Sequence, residues 1–173
     1  MTTLVTGGSK CGKSSLAERI LDSFGGRKIY IANMQPFGED AFEAIERHRK
    51  MRAGKGFETM ERYTGIGGTE LPEGCGVLLE CMGNLCANEM FSGDGTGFSV
   101  SGIVDGIRTL AEKSGELVIV TNQVGSDGIA YPEGTADYIQ SLGEINAGIA
   151  AFADNVIECV YGIPVVLKGE LTC

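Results

Sequence analysis

Residues 7–14, with the sequence GGSKCGKS, carry the side-chain types and spacing best suited to chemistry in this chain. They match the pattern G-x-x-x-x-G-K-[ST] at every fixed position, between a short apolar stretch and a segment of helical periodicity. Glycines let the backbone wrap around phosphates, so that consecutive N–H groups and a helix N-terminus face the anion. The pattern therefore predicts a P-loop that binds a nucleoside triphosphate through Gly7, Gly8, Ser9, Lys10, Cys11, Gly12, Lys13 and Ser14.

Two residues of this motif, and one carboxylate elsewhere, have specific expected roles. Lys13 holds the position that reaches the terminal phosphates, and Ser14 holds the position whose hydroxyl ligates Mg²⁺. A carboxylate at the end of a neighbouring apolar strand usually completes such a site, and Glu80 follows the apolar residues 77–79. We expect Lys13 to be catalytic and Ser14 and Glu80 to hold Mg²⁺. The alternative for Glu80 is a strand-end carboxylate that faces solvent.

His48 is the single histidine, so any imidazole chemistry depends on it. It lies among basic residues in the segment 46–52, ERHRKMR. Neighbouring positive charges disfavour the imidazolium form and leave a neutral ring that can attack phosphorus, while the same charges can hold a phosphate chain. The alternative is an ordinary solvent-exposed side chain on a basic helix, and the residues alone leave both interpretations open.

The surrounding pattern predicts the elements that must position these residues. Strands are expected at residues 3–6, 28–32, 76–81, 117–121, 156–161 and 165–168, and helices after the motif and at 40–52, 103–113 and 136–153. Gly162, Ile163 and Pro164 are expected to form the turn between the last two strands. Alternating strands and helices predict an α/β fold with a mainly parallel sheet flanked by helices and closed by a C-terminal strand pair. Without a linker or repeat, we expect residues 1–173 to form a single domain.

Composition narrows the class of protein further. The net charge is −9, but residues 1–62 hold 11 Lys and Arg against 8 Asp and Glu, so an anionic ligand is expected at the N-terminal end and nucleic acid is not. No apolar run suggests a membrane span or a signal peptide. Six cysteines without C-x-x-C spacing indicate neither a disulfide framework nor a zinc cluster. We expect a cytoplasmic protein with reduced thiols.

Further segments, in a characteristic order, resemble one family. They lie at residues 4–8, 30–34, 45–52, 57–61, 78–81, 120–125 and 162–164. The pattern I-x-x-H-[RK]-x-x-R at 45–52, after a P-loop, is far more specific than the P-loop alone. Together the segments resemble the bifunctional adenosylcobinamide kinase / adenosylcobinamide-phosphate guanylyltransferase of cobalamin biosynthesis, over nearly the whole chain.

The resemblance implies a P-loop NTPase-like fold and two reactions. ATP or GTP phosphorylates the aminopropanol arm of adenosylcobinamide, and GTP then guanylylates a histidine that passes GMP to the new phosphate. The family's histidine falls on His48. Nucleotide contacts fall on the P-loop and on Asn33, Met34, Gln35, Arg49, Lys50, Met51, Arg52, Glu61 and Glu80. The family's homotrimers, with active sites at subunit boundaries, imply a homo-oligomer here, with a trimer as the expected form.

Two departures from the family and three other functions stay open. Gln123 stands where relatives usually carry Glu, and residues 132–146 lack the basic side chains that relatives have there. One alternative is a P-loop small-molecule kinase without guanylyl transfer, and another is a non-catalytic nucleotide-binding subunit. A third, weaker alternative is catalysis by Cys11, because a nearby helix N-terminus favours a thiolate.

Overall fold

A seven-stranded sheet forms the centre of the protein in a computed structural model that describes residues 1–36, 39–92 and 97–171. The side chains of residues 39–41, 44, 48, 51 and 52 also lie outside that description. The strands are β1 (Thr2–Thr6), β2 (Lys28–Ala32), β3 (Phe57–Glu61), β4 (Gly76–Leu79), β5 (Glu116–Val120), β6 (Asn155–Val160) and β7 (Ile163–Lys168). Their order across the sheet is β3-β2-β4-β5-β1-β6-β7. Every pair is parallel except β6 and β7, so the predicted α/β class with a closing strand pair is confirmed.

Five helices accompany the described strands. They are α1 (Lys13–Asp22), α2 (Glu39–Arg52), α3 (Met82–Phe91), α4 (Val100–Lys113) and α5 (Glu133–Phe152). A 3-10 turn at Ile66–Gly68 packs against α4. Among the described helices, none combines the length and apolar composition that crossing a bilayer requires.

The core follows from strands that are apolar on both faces. The consecutive residues Leu4 and Val5 of β1 lie on opposite sides of the sheet, as the two-residue period of a strand requires. The Val5 side packs against Leu16, Ile20 and Leu21 of α1, and the Leu4 side packs against α3, α4 and α5. Each fully buried aliphatic side chain contributes about 1.5–3 kcal/mol of transfer free energy. This burial orders the central strands and the loops that follow them.

Two elements were not predicted from the sequence, β3 and α3. In β3 the apolar residues Phe57 and Met60 are only half-buried, because the strand lies at the sheet edge and pairs with β2 alone. The helix α3 follows β4 after Cys81 without any capping side chain or loop of turn-forming residues that would mark its start. Both therefore depend on tertiary packing that local patterns do not reveal. The glycine-rich composition of residues 92–97 predicts a flexible loop, which falls largely on residues 93–96, outside the described residues.

The predicted turn at Gly162, Ile163 and Pro164 was wrong by one residue. The chain reverses at Tyr161 and Gly162, with φ of 50° and 81°, and β7 already begins at Ile163. Two consecutive residues of positive φ suit the right-handed twist of a two-residue hairpin. Pro164 is tolerated inside β7 because this strand is an edge, where a missing N–H breaks no ladder.

Candidate functional site

A cavity of about 580 Å³ lies where the P-loop meets the carboxyl ends of the central strands. The parallel register brings the ends of β1, β2, β4 and β5 to one edge of the sheet, so residues distant in sequence share its walls. The lining residues are Ser9, Lys10, Cys11, Gly12, Lys13, Ser14, Ser15, Met34, Arg47, Glu80, Cys81, Asn84, Val120 and Asn122. Much of the predicted P-loop, together with Met34 and Glu80, therefore lies in one cavity.

The P-loop backbone adopts conformations that its glycines permit. Gly7 and Gly12 have φ of 145° and 101°, where side chains other than hydrogen are strained. A Cβ on Gly7 would lie 2.5 Å from the carbonyl oxygen of Cys159. Lys10, which is not a glycine, also has a positive φ of 57°. The loop is thus held in a shape that an unrestrained chain disfavours, as expected where a backbone encloses a ligand.

Neighbouring strands brace the P-loop from behind. The carbonyl oxygen of Cys11 accepts hydrogen bonds from the Sγ of Cys159 at 3.1 Å and from the N–H of Gly162 at 2.8 Å. The N–H of Gln123, after β5, donates to the carbonyl of Gly7 at 3.1 Å. Burial, with a hydrogen bond to Cys11, raises the pKa of the Cys159 thiol, which keeps it a neutral donor. Both ends of the loop are therefore anchored to the sheet.

Lys13 is almost fully enclosed, at 6% exposure, in the first turn of α1. Its Nζ donates to the carbonyl oxygen of Gly8 at 2.5 Å and lies 3.9 Å from the Sγ of Cys11. A buried ammonium is costly unless it is paired, so a ligand with negative charge would replace a single carbonyl by a far stronger partner. The position agrees with the predicted role of Lys13 at the phosphates.

The wall opposite the P-loop comes from the end of β4 and the start of α3. Glu80 is buried at 7% exposure, and its N–H donates to the carbonyl of Ile31. Cys81 follows it, and Asn122 Nδ2 lies 3.7 Å from the Cys81 Sγ. Burial raises the pKa of the Cys81 thiol despite nearby backbone N–H groups, so Cys81 is not poised as a nucleophile. The solvent-facing alternative for Glu80 is therefore disfavoured by its burial.

The basic helix α2 reaches the cavity through Arg47, which the sequence analysis did not single out as a contact. Arg49, a predicted contact, is instead paired with Glu46 at 3.2 Å and with Glu61 at 3.4 Å. Glu61 also accepts a hydrogen bond from the Tyr63 hydroxyl at 3.0 Å. Lys50 is exposed on α2. The helical period shows which residues of α2 share a face. It does not show which face meets the cavity, because that depends on the orientation of α2 in the fold.

Some predicted contact residues of α2 carry side chains outside the described part of the chain. They are His48, Met51 and Arg52, whose backbone belongs to α2. The structure therefore describes the helix that carries His48 and its neighbour Arg47, but not the imidazole. The roles of these three residues stay predictions.

The segment after β2 contributes to the cavity mainly through Met34. Asn33 is fully buried, and its Nδ2 donates to the carbonyl of Cys81 at 2.8 Å. The carbonyl of Asn33 accepts in turn from Nδ2 of Asn88 at 2.8 Å. Neither Asn33 nor Gln35 is among the described lining residues. Asn33 thus ties β2 to the start of α3, a structural role that the sequence did not indicate.

Gln123 makes a contact that bears on its departure from the family pattern. Its Nε2 donates to Oε1 of Glu158 at 2.9 Å. A glutamate here would place two carboxylates within hydrogen-bond distance, at the position whose own N–H donates to the carbonyl of Gly7. The amide thus suits its neighbour, and a carboxylate at position 123 would be repelled by Glu158.

We expect Gln123→Glu to lower the free energy of unfolding by up to about 1 kcal/mol at pH 7, because both groups are partly solvated. Repulsion raises the pKa of one carboxyl in the folded state above its unfolded value, so the loss is present at neutral pH and disappears as the pH falls below about 4. Denaturant unfolding at both pH values measures this. The exchanged pair Gln123→Glu with Glu158→Gln is the control and should recover parental stability; a lasting loss in that double variant contradicts the explanation.

Comparison with known proteins bears on this arrangement. The model of the family described as "Cobinamide kinase / cobinamide phosphate guanyltransferase" matches residues 3–167. A solved structure, the P4 protein from bacteriophage phi6 in complex with ADP, aligns over 94% of this chain and 52% of its own, with a TM-score of 0.43 and 12% identity. That structural likeness is too distant to support an inference.

Curated relatives match over their whole length. The bifunctional adenosylcobalamin biosynthesis protein CobP of Pseudomonas aeruginosa is 29% identical, covering 98% of this chain and 99% of its own. The proteins named CobU from Escherichia coli and Salmonella typhimurium are each 28% identical, covering 97% of this chain and 100% of theirs. The match thus includes both the P-loop cavity and the basic helix beside it. The chain belongs to the cobinamide kinase / cobinamide phosphate guanyltransferase family.

Proposed function

We propose that this one cavity carries both reactions of the family, with a guanylyl group held transiently on His48. The observation that supports this most directly is that Arg47, the neighbour of His48 in α2, lines the same cavity as Lys13 and Ser14. This supports a site in which the helix that carries His48 adjoins the bound phosphates. Incubation with adenosylcobinamide, ATP and GTP, with products separated by mass, tests both steps at once.

In the first step, the hydroxyl of the aminopropanol arm of adenosylcobinamide attacks the γ-phosphorus of ATP or GTP, and the nucleoside diphosphate leaves. Catalysis of this kind depends on positioning and on offsetting the charge of the phosphates. Lys13 and the N–H groups at the start of α1 supply positive charge from one side of the cavity. The hydroxyl proton leaves as the new phosphate ester forms.

In the second step, the neutral imidazole of His48 attacks the α-phosphorus of GTP and pyrophosphate leaves. The phosphate oxygen of the cobinamide phosphate then attacks the same phosphorus, which forms the GDP-linked product and frees the imidazole. Two easier transfers replace one difficult transfer. Arg47 is suited to hold the phosphate chain during both attacks, since a guanidinium pairs well with phosphate.

Ser14 and Glu80 fit a Mg²⁺ ion shared with the nucleotide. Both line the cavity, and both offer the oxygen ligands that Mg²⁺ prefers. Across the described ranges, no cluster of three or more His, Cys, Asp or Glu side chains forms a metal site of its own, which suits an ion that takes its remaining ligands from phosphates and water. When bound, Mg²⁺ would offset negative charge on the phosphates.

We expect Arg47→Met to weaken GTP binding about tenfold, because it removes a charge-assisted contact while keeping the aliphatic stem. Arg49→Met is the matched comparison, and its effect should be smaller because Arg49 is already paired with Glu46 and Glu61. Titration of a fluorescent GTP analogue measures both. A larger loss for Arg49→Met would instead favour the contact that the family resemblance implies.

Two alternatives are separated by product analysis. A kinase without guanylyl transfer would accumulate cobinamide phosphate and release no pyrophosphate from GTP. A non-catalytic nucleotide-binding subunit would release neither nucleoside diphosphate nor pyrophosphate. Nucleophilic catalysis by Cys11 would leave the guanylyl group on a thiol, which alkylation of the thiols prevents.

We further propose that the chain assembles as a homo-oligomer, a trimer as the family resemblance implies. The edge strand β7 and its turn expose apolar side chains that a neighbouring copy would cover; they are Tyr161, Ile163, Val165, Val166 and Leu167. Light scattering of the purified chain gives the number of copies.

We also propose a single domain and a cytoplasmic location. A single domain is consistent with every described strand joining one sheet. The cytoplasmic location is consistent with the free thiols at Cys11, Cys75, Cys81, Cys86 and Cys159.

A further inference from the structure

One donor group that lines the cavity has no hydrogen-bond partner among the described residues, and neither the family resemblance nor the P-loop motif assigns it a role. Asn84 lies in the first turn of α3 and lines the cavity on the wall that also carries Glu80. Its Nδ2 is buried and has no hydrogen-bond partner. The other buried side-chain atoms without a partner, within the described residues, are Asn33 Oδ1 and Arg62 Nε, and neither residue lines the cavity.

An unpaired amide donor on the wall of this cavity suggests that an atom of a ligand accepts its hydrogen bond. Removing a donor from water without a replacement partner costs folding free energy, so buried donors are nearly always satisfied. A hydrogen-bond acceptor on a ligand in this cavity would satisfy the amide. The local field favours a negatively charged acceptor, since the wall ends at the N-terminus of the ten-residue helix α3.

The opposite wall shows which part of a nucleotide this donor would meet. The backbone N–H groups of a P-loop enclose the inner phosphates, and its lysine extends toward the terminal ones. A γ-phosphoryl group bound in this way would extend past the loop, toward the end of β4 and the start of α3, which line the same cavity. Glu80 lies on that side and suits the metal, which leaves Asn84 as a donor for phosphoryl oxygen.

We propose that the side-chain amide of Asn84 donates a hydrogen bond to an oxygen of the γ-phosphoryl group and so distinguishes nucleoside triphosphates from diphosphates. The proposal rests on nucleotide binding at the P-loop, as proposed above. It makes Asn84 a binding residue for the group that the first reaction transfers. A diphosphate lacks the acceptor, so its release after transfer would not be opposed by this contact.

The test compares nucleotide binding by Asn84→Leu and Asn84→Asp with that of the parent chain. Leucine has a similar size without a donor, and aspartate has the same shape but adds a negative charge. The probes are guanosine 5′-(β,γ-imido)triphosphate and GDP, each titrated with Mg²⁺ by calorimetry. We expect about a tenfold loss of triphosphate affinity for Asn84→Leu and a larger loss for Asn84→Asp. GDP affinity should change less than twofold in the leucine variant.

Thermal unfolding separates this role from a structural one. Because the amide lacks a protein partner, Asn84→Leu should unfold at the parental temperature or above it, whereas loss of a structural hydrogen bond would lower it. Gln140→Glu, at an exposed position of α5, is the control for one added negative charge and should leave both affinities unchanged.

Three results would overturn the proposal: unchanged triphosphate affinity in both Asn84 variants, an equal loss for the two nucleotides, or a lowered unfolding temperature in both. Binding of GDP by the parent chain reports on the proposed function independently. The ratio of the two affinities reports on Asn84 alone, so the failure of one idea is distinguishable from the failure of the other.

Discussion

Replacing His48 with alanine is expected to lower the rate of guanylyl transfer roughly 10³-fold or more, while the phosphorylation of adenosylcobinamide largely survives. The chain has no second imidazole that could take over the attack on the α-phosphorus. Phosphoryl transfer needs positioning, metal and the P-loop, none of which requires a nucleophilic side chain. The two activities should therefore separate in one variant.

The covalent intermediate provides the measurement. GTP labelled on its α-phosphate should leave label on the denatured parent chain, and γ-labelled GTP should leave none. A phosphoramidate is labile in acid but stable in alkali, whereas an acyl phosphate is hydrolysed in alkali, so survival of the label in alkali distinguishes the two bonds. His48→Gln, which keeps a polar side chain, should lose the label as completely as His48→Ala.

Two results would change the assignment. Loss of both activities in a folded His48→Ala protein would make His48 a residue that binds the nucleotide. Label that persists in this variant would move the nucleophile to another side chain, and Lys50 on the same helix would be examined first.

Replacing Lys13 with alanine is expected to lower both activities on the order of 10²-fold or more. Both reactions build negative charge on phosphate oxygens in the P-loop, and the Lys13 ammonium is enclosed there beside the Gly8 carbonyl at 2.5 Å and the Cys11 Sγ at 3.9 Å. Initial rates of cobinamide phosphate formation and of pyrophosphate release measure the two losses separately.

The stability of Lys13→Ala shows whether its loss of activity arises in the site or from unfolding of the protein. Burial of an ammonium opposes folding, so Lys13→Ala should unfold at or above the parental temperature while activity falls. Lys168→Ala removes an equal charge from β7, where the side chain donates to carbonyls of α5 rather than lining the cavity. Near-parental rates in Lys13→Ala would exclude the P-loop as the site of phosphoryl transfer.

Contiguous features of the candidate site could be predicted from the sequence. The residues 7–14 act together because a single turn of backbone between a strand and a helix holds them, and only glycine fits where φ reaches 145° at Gly7. Glu80 could be predicted because an apolar run marks a buried strand whose carboxyl end meets a ligand. These inferences use distances of a few residues, over which local geometry decides position.

The fold class could equally be predicted from the sequence, but the edge strand β3 and the helix α3 could not. The central strands β2, β4 and β5 are apolar on both faces and stand out as short runs, so their alternation with helices predicts a parallel sheet. The edge strand β3 and the helix α3 lack such marks, because they are stabilised mainly by the neighbours that they pack against. The C-terminal turn was misplaced by one residue, because Pro164, which is typical of turns, lies inside the edge strand β7.

By itself the sequence determined the P-loop, the uniqueness of His48, the α/β class and the resemblance to a two-step transferase. The tertiary structure decided which side chains share the cavity: Arg47 rather than Arg49, Met34 rather than Asn33, and Asn84 with an amide that lacks a partner. The physical reason is that the register of parallel strands and the orientation of each helix bring together residues as distant in the sequence as Ser9 and Asn122. No local pattern specifies those relations, because they arise from packing over the whole core.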